Sequence, residues 1–281
     1  MEDRELENML CPGGGDACMN NIDDEREIYI LHTKLPSYKN RIQTTMEYVK
    51  EVINSRLCKQ FISFSGGKDS IVLTDILGRC GFKGEMVTFT YGLAHDQTPP
   101  DTYRMIDFYS EKWNIPSNIV KNMGDFDVWD SLGYFTASFE STEERRALTR
   151  KMNHMFHTRA LFDIENNIDL LFLGLRGDES RARMISRARK GQIYVTRNRD
   201  SETCCPLAWF SDRDIWGYIF SNDLPYPSVY DYPYMSREKI RNEPTFVTED
   251  FNFGMGASEL YKQCFPEYIG EIRKRYTNFT Y

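Results

Sequence analysis

Nowhere in this 281-residue chain do apolar residues run on for the roughly 20 positions that a membrane-spanning helix requires, so no helical membrane protein is expected. The first seven residues, Met1 to Glu7, are acidic and lack the apolar core of a secretory signal; a cytoplasmic location is the expectation. Cysteine is sparse and scattered, at positions 11, 18, 58, 80, 204, 205 and 264. An odd, dispersed set makes no secreted disulfide framework. Without a Cys-x-x-Cys pair there is no zinc-ribbon spacing and no iron–sulfur cluster is expected. His95, His154 and His157 stand too isolated to form a ligand set. The formal net charge of −7 argues against a surface built throughout for nucleic acid, although it leaves room for a local basic groove. With 41% hydrophobic and 14% aromatic residues, the chain has the material for a sizeable core.

What is present is more specific. Phe61-Ile62-Ser63-Phe64 reads as a buried strand, Ser65-Gly66-Gly67-Lys68-Asp69-Ser70 as a tight turn, and Ile71, Val72, Leu73, Ile76 and Leu77 as the apolar face of a helix. Paired glycines let backbone N–H groups turn toward a ligand, and a helix start adds unpaired N–H groups and a positive dipole end. Lys68 supplies a full charge and Ser65 and Ser70 supply hydroxyls. A strand–Gly–Gly–helix turn by itself is common in α/β proteins. The Walker spacing Gly-x-x-x-x-Gly-Lys-Ser/Thr does not occur. The full string resembles the PP-loop of the ATP pyrophosphatases, which hold the pyrophosphate portion of ATP and split ATP between its α and β phosphates.

The rest of the chain alternates helix and strand patterns. Lys39 to Arg56 is apolar at helical spacing, Glu85 to Tyr91 is β-rich, Pro100 to Trp113 is helical and Asn118 to Lys121 is a short strand. A charged helix over 142–166 leads into a buried strand over 168–174. Alternation of this kind predicts an α/β fold, a parallel twisted sheet with helices on both faces, with ligands beyond the carboxyl ends of the strands. The resemblance implies the adenine nucleotide alpha hydrolase-like (HUP-like) version of that fold. The expected organisation is a mobile tail over 1–24, a nucleotide domain over 25–230 and a C-terminal helical extension over 231–281, with helices near 235–242 and 256–275.

Gly174-Leu175-Arg176-Gly177-Asp178-Glu179-Ser180-Arg181-Ala182-Arg183 follows the strand at 168–174. Taken alone it suits a solvated helix start capped by Asp178 or Ser180, laced with salt bridges. At a strand end beside the first loop, Arg176 and Arg181 instead offer guanidinium forks to phosphate. The string is similar to the Gly-x-Arg-x-x-Glu/Asp-Ser-x-x-Arg segment of the PAPS reductase-like branch of PP-loop enzymes. Cys205-Pro206-Leu207-Ala208-Trp209-Phe210-Ser211-Asp212-Arg213-Asp214-Ile215-Trp216 resembles that branch's Pro-Leu-x-x-Trp-x-x-x-Asp-Ile-Trp, with Trp209 one place early. Trp209 and Trp216 read as core aromatics that seat a helix. Together the likeness spans about residues 58–231. Eight cations fall between Arg176 and Arg199, which suits a loop over the triphosphate, a groove for a nucleic-acid backbone, or a solvated basic loop.

Departures from the branch narrow the expectation. The sulfonucleotide reductases carry a nucleophilic cysteine in a Glu-Cys-Gly-like tail, and no cysteine follows Cys264 here. The resemblance therefore implies ATP activation of an oxyanion with release of pyrophosphate. Ser65, Gly66, Gly67, Lys68 and Ser70 would hold the pyrophosphate, Thr90, Tyr91 and Gly174 would border the nucleotide, and Arg176 and Arg181 would steady the α-phosphate or acceptor. Asp69 would position Mg²⁺ or cap the helix. A DNA backbone phosphate, met by the basic window 176–199, is the preferred acceptor, as in DNA phosphorothioation. Sulfur would come from a cysteine desulfurase among other sulfur-modification proteins. Cys204 or Cys205 is a candidate sulfur acceptor, with a structural thiol favoured. Sulfate activation with a GTPase partner, a reductase-like activity, and a non-catalytic ATP sensor or scaffold are the alternatives.

Overall fold

The computed structural model describes residues 25–56, 58–92, 96, 98–122, 162–195, 201–232, 236, 237, 240, 242 and 257–275. A helical segment at 25–32 leads to helix α1 (Pro36–Ser55), strand β1 (Gln60–Ser63), α2 (Lys68–Arg79), β2 (Glu85–Tyr91), α3 (Pro100–Trp113) and β3 (Ser117–Asn122). Then come β4 (Leu170–Phe172), α4 (Arg181–Lys190), β5 (Ile193–Val195), β6 (Glu202–Cys204) and α5 (Asp212–Ser221). A 3-10 turn (Ser228–Asp231) precedes α6 (Ala257–Cys264) and α7 (Pro266–Arg275). Residues 1–24, most of the helix expected over 142–166, most of 235–242, and His95, His154 and His157 lie outside the described residues.

The strands form one six-stranded sheet in the order β3-β2-β1-β4-β6-β5. Phe61 pairs with Glu85 on one side and with Leu171 on the other, both in parallel register. Consecutive residues of β1 and β4 are buried, which requires cover on both faces of the sheet. Side-chain alternation then sorts the strands into two cores. Ile62, Leu170 and Phe172 join the large core under α2, α3 and α5, while Phe61, Val87 and Leu171 build a smaller one with Ile168. The large core extends to Leu260, Tyr261, Ile269 and Ile272, so α6 and α7 share it with the sheet and its helices.

Two features differ from the expected sheet. The strand read over 168–174 is confined to Leu170–Phe172, and β5 runs antiparallel to β6, making the sheet mixed at that edge. Strands of three residues are too short for a period-2 pattern to register, and both flank an arginine-rich stretch. Among the described residues no helix is long and apolar enough to cross a membrane.

The order also places the site. From β1 the chain crosses to β2 and β3 on one side, whereas β4 and β6 lie on the other. The loops leaving β1 and β4 therefore diverge at a topological switch point, where α/β sheets open a crevice. The helices that frame it are tied together by Asp75. This fully buried carboxylate on α2 accepts from Arg79 Nε and Lys112 Nζ at 2.7 Å, Tyr218 OH at 2.9 Å and Trp113 Nε1 at 3.2 Å. One charge thus joins α2 to α3 and α5.

Candidate functional site

The loop after β1 is held by its own serines. The Ser70 hydroxyl donates to the Gly67 carbonyl at 2.8 Å, and the Ser65 N–H reaches Ser70 Oγ at 3.3 Å. The Gly67 N–H meets Ser65 Oγ at 3.4 Å. Gly66 sits at φ +73°, where a side chain would be strained and would also meet Thr102 at 3.2 Å. Gly67 is the N-cap of α2 and has no side chain with which to cap that helix. The Lys68 N–H donates to the Tyr230 hydroxyl at 3.3 Å. The loop thus ends in a helix start whose N-cap supplies no side chain and whose first-turn acid, Asp69, is paired with Arg176. Asp69 is therefore not a cap of the helix.

Lys68 and Arg176, both buried, meet Asp69 and Asp212 in one cluster. Arg176, only 1% exposed, spans the two acids: Nε to Asp69 Oδ1 is 2.7 Å and Nη2 to Asp212 Oδ1 is 2.8 Å. Lys68 Nζ stands 3.7 Å from Asp69 Oδ2 and 3.6 Å from Asp212 Oδ1. Burial works against both positive charges, but Asp69 and Asp212, helped by Tyr230 at the lysine and Glu179 at the arginine, outweigh it and hold both groups above their ordinary pKa values. Gly174 makes this junction possible. A Cβ there would lie 3.0 Å from the Asp69 carbonyl carbon and 3.1 Å from the Ser70 nitrogen. Asp212 and Tyr230 were not legible as site residues. Asp212 is a variable position of the Asp-Ile-Trp motif, and only its place directly after the Ser211 cap hinted that it faces a helix entrance.

The next segment is ordered by Glu179, which accepts from the Arg176 N–H at 3.0 Å and pairs with Arg183. Burial raises the Glu179 pKa, and these donors more than reverse it, leaving the group below the usual carboxylate range. Of the two candidate caps, Ser180 is the one used, accepting from the Arg183 N–H at 3.2 Å. Arg181, the first residue of α4, is exposed and forms no ion pair among the described residues. Thr90 is buried with its hydroxyl 3.5 Å from the Val120 carbonyl; the Tyr91 side chain, Arg197 and Arg199 lie outside the described residues.

The reading of both tryptophans as core residues is corrected for one of them. Trp216 is fully buried, stacked on Phe220 and edge-on to Tyr230 at 5.2 Å, and it seats α5 and the 3-10 turn. Trp209 is 53% exposed, because Phe210 fills the core position beside it. Cys204 and Cys205 are fully buried. Burial pushes the Cys204 thiol up to about 12, and it raises Cys205 despite the Arg187 guanidinium 3.0 Å away. Among the described residues no group of three or more His, Cys, Asp or Glu side chains is placed to hold a metal. Asp69 and Asp212 are already engaged by cations, so this donor set does not fit a protein-held Mg²⁺ ion.

The phosphoadenosine phosphosulfate reductase domain matches residues 59–236. Among known proteins, the chain is 26% identical over 206 residues to an adenosine 5'-phosphosulfate reductase of Staphylococcus epidermidis, covering 72% of this chain and 78% of that protein. It is 24% identical over 238 residues to a phosphoadenosine 5'-phosphosulfate reductase of Xylella fastidiosa, covering 82% and 90%. A solved structure of phosphoadenylyl-sulfate reductase from Candida auris, in complex with phosphate, aligns with a TM-score of 0.46 at 16% identity, covering 72% of this chain and 89% of that one.

Proposed function

Since the chain belongs to the phosphoadenosine phosphosulfate reductase domain family, we propose that its switch-point crevice binds ATP and transfers the adenylyl group to an oxyanion, releasing pyrophosphate. The start of α2 behind Gly66-Gly67, with no side chain at its N-cap, carries this reading. It offers backbone N–H groups and a positive dipole end to the β and γ phosphates, with the Lys68 charge beside them. An acceptor oxygen bonds to the α-phosphorus, and the α–β bridging oxygen departs with its electron pair on pyrophosphate. Catalysis here is alignment and charge stabilisation, with no protein base required. Thr90, Tyr91 and Gly174 border the nucleotide. Arg176 positions Asp69 and the loop, while Arg181 is the guanidinium left open to the acceptor. Mg²⁺ belongs to this reading as the counterion of the triphosphate.

The acceptor we favour is a DNA backbone phosphate, supported by the acid-free basic helix α4 at the crevice. The terminal sulfur of a donor persulfide, of the kind a cysteine desulfurase carries, would then bond to phosphorus as AMP leaves. A thiol would cleave the remaining S–S bond and leave the phosphorothioate. Cys204 and Cys205 are too buried to serve as that donor. The names of the relatives favour one second reading, in which the same cradle holds a sulfonucleotide for reduction. Incubation with ATP and DNA, sulfate or neither, followed by product analysis, tests the proposal. Pyrophosphate and the adenylated acceptor, formed in step with an added acceptor, are expected, with free AMP appearing once a persulfide donor is supplied. Release of orthophosphate and ADP would overturn α–β cleavage, and sulfite release from a sulfonucleotide with a thiol reductant would favour the second reading.

A further inference from the structure

Trp209 is a large aromatic that the core does not use. Its backbone is nonetheless fixed on both sides: the Ala208 carbonyl accepts from the Gly177 N–H at 2.9 Å, and the Phe210 carbonyl lies 3.4 Å from Arg176 Nη1. A Cβ on Gly177 would be 3.2 Å from the Ala208 oxygen and 3.4 Å from Met184 Cα. The attachment point of the indole, the Arg176–Asp178 turn and the first turns of α4 therefore meet at one patch beside the crevice.

Helix α4 holds five cations in ten residues and no acid, in a chain whose net charge is −7. Two are engaged: Arg183 with Glu179, and buried Arg187 with Tyr194 and Cys205. Arg181, Arg189 and Lys190 are exposed, and Lys190 rests 4.9 Å over the Tyr194 ring. From Arg181 to Arg189 the helix advances about 12 Å. The helix also exposes Met184 and Ile185, at 52% and 44%, but two apolar side chains among three exposed cations do not make the charge-depleted core from which protein–protein interfaces draw their affinity. A cationic track with one projecting aromatic is what unpaired nucleic acid uses, since phosphates follow the charge and every base has a π face to stack.

We propose that α4 and Trp209 form a docking track for single-stranded DNA, with the indole stacking on one base and Arg181 and Arg189, about 80° apart around the helix, following the phosphates. The choice of DNA rests on the acceptor proposed above; the track itself rests on the exposed indole and the acid-free helix. The strand would run past the crevice mouth and bring a backbone phosphate toward the nucleotide.

The test is fluorescence anisotropy with a labelled oligodeoxythymidine of about 12 nucleotides, without ATP, across a salt series. Trp209→Ala should weaken binding about fivefold or more, and Trp209→Phe should retain it within about twofold, because a ring remains to stack. Arg181→Gln with Arg189→Gln should lower the slope of log K against log salt by about 1.4, at roughly 0.7 per cation lost. Absence of binding, indifference to both variants, or equal binding of duplex DNA, RNA or polyglutamate would overturn the proposal. DNA binding that is sensitive to the variants but never stimulates pyrophosphate release would remove the acceptor reading and leave the track. DNA-stimulated pyrophosphate release that ignores the variants would do the reverse.

Discussion

Replacing Arg176 with Met separates a clamp from a phosphate ligand. The side chain is 1% exposed and its fork joins Asp69 on α2 to Asp212 on α5. Removing one partner of a buried ion pair costs about 3–5 kcal/mol, because the remaining charge is left uncompensated. Here the two carboxylates keep 20% and 18% of their side-chain exposure, and Lys68 stays within 3.7 and 3.6 Å of them. Partial hydration and that residual attraction reduce the expected loss to about 2–4 kcal/mol. Arg176→Lys keeps the charge but loses the fork that reaches both acids, for a cost of about 1–2 kcal/mol. Adding Asp212→Asn to Arg176→Met should cost less than the sum of the two single changes, by about 1–3 kcal/mol, since one of the two stranded charges is then gone. Urea unfolding of the parent and the four variants measures the stabilities, and calorimetric titration with a non-hydrolysable ATP analogue measures the loop. If Arg176→Met abolished nucleotide binding while its unfolding free energy stayed within about 0.5 kcal/mol of the parent, the arginine would be a ligand and the clamp argument would be wrong.

Asp75→Asn should lower stability by about 2–4 kcal/mol at neutral pH, because Arg79 and Lys112 lose their common carboxylate and Trp113 and Tyr218 lose a charged acceptor. Burial raises the Asp75 pKa but its donors more than reverse this, so the folded value lies below the ordinary 3.8. Its contribution is therefore complete above the unfolded value and lost as pH falls through the folded one; acid unfolding of the Asn variant should show a shallower pH dependence below about pH 4. For Lys68 the sign is opposite: a folded pKa above 10.5 keeps its contribution complete below that value and loses it only as pH rises through the higher one. Nucleotide affinity should accordingly show no Lys68 titration between about pH 6 and 9, and a Lys68-dependent step in that window would refute the cluster. A thiol reagent at about pH 8 should leave Cys204 and Cys205 unmodified until the protein is unfolded, as mass spectrometry of labelled peptides would report. Rapid native labelling of Cys205 would restore it as a sulfur acceptor.

The fold was legible where a pattern had room to repeat. Strand β2 and helix α3 fall on the residues their patterns predicted, because seven and fourteen residues resolve periods of 2 and 3.6. Strands β5 and β6, three residues each, carry no period, so the antiparallel edge was hidden. For the site, motif and strand position located both the Ser65–Ser70 loop and the Gly174–Arg183 segment, but not how they join. Ion pairing across 107 and 36 residues of sequence, from Arg176 to Asp69 and Asp212, depends on which loops the sheet order brings together. The tryptophans show the same limit from the other side. A shift of one position put Phe210 in the core and Trp209 on the surface, and composition cannot tell those two aromatics apart. A motif thus identifies the groups that meet at the crevice, while the pairing among them decides their work. Arg176 neutralises acids within the wall of the site, Lys68 stands between those acids and the phosphate loop, and the exposed cations Arg181, Arg189 and Lys190 lie along α4.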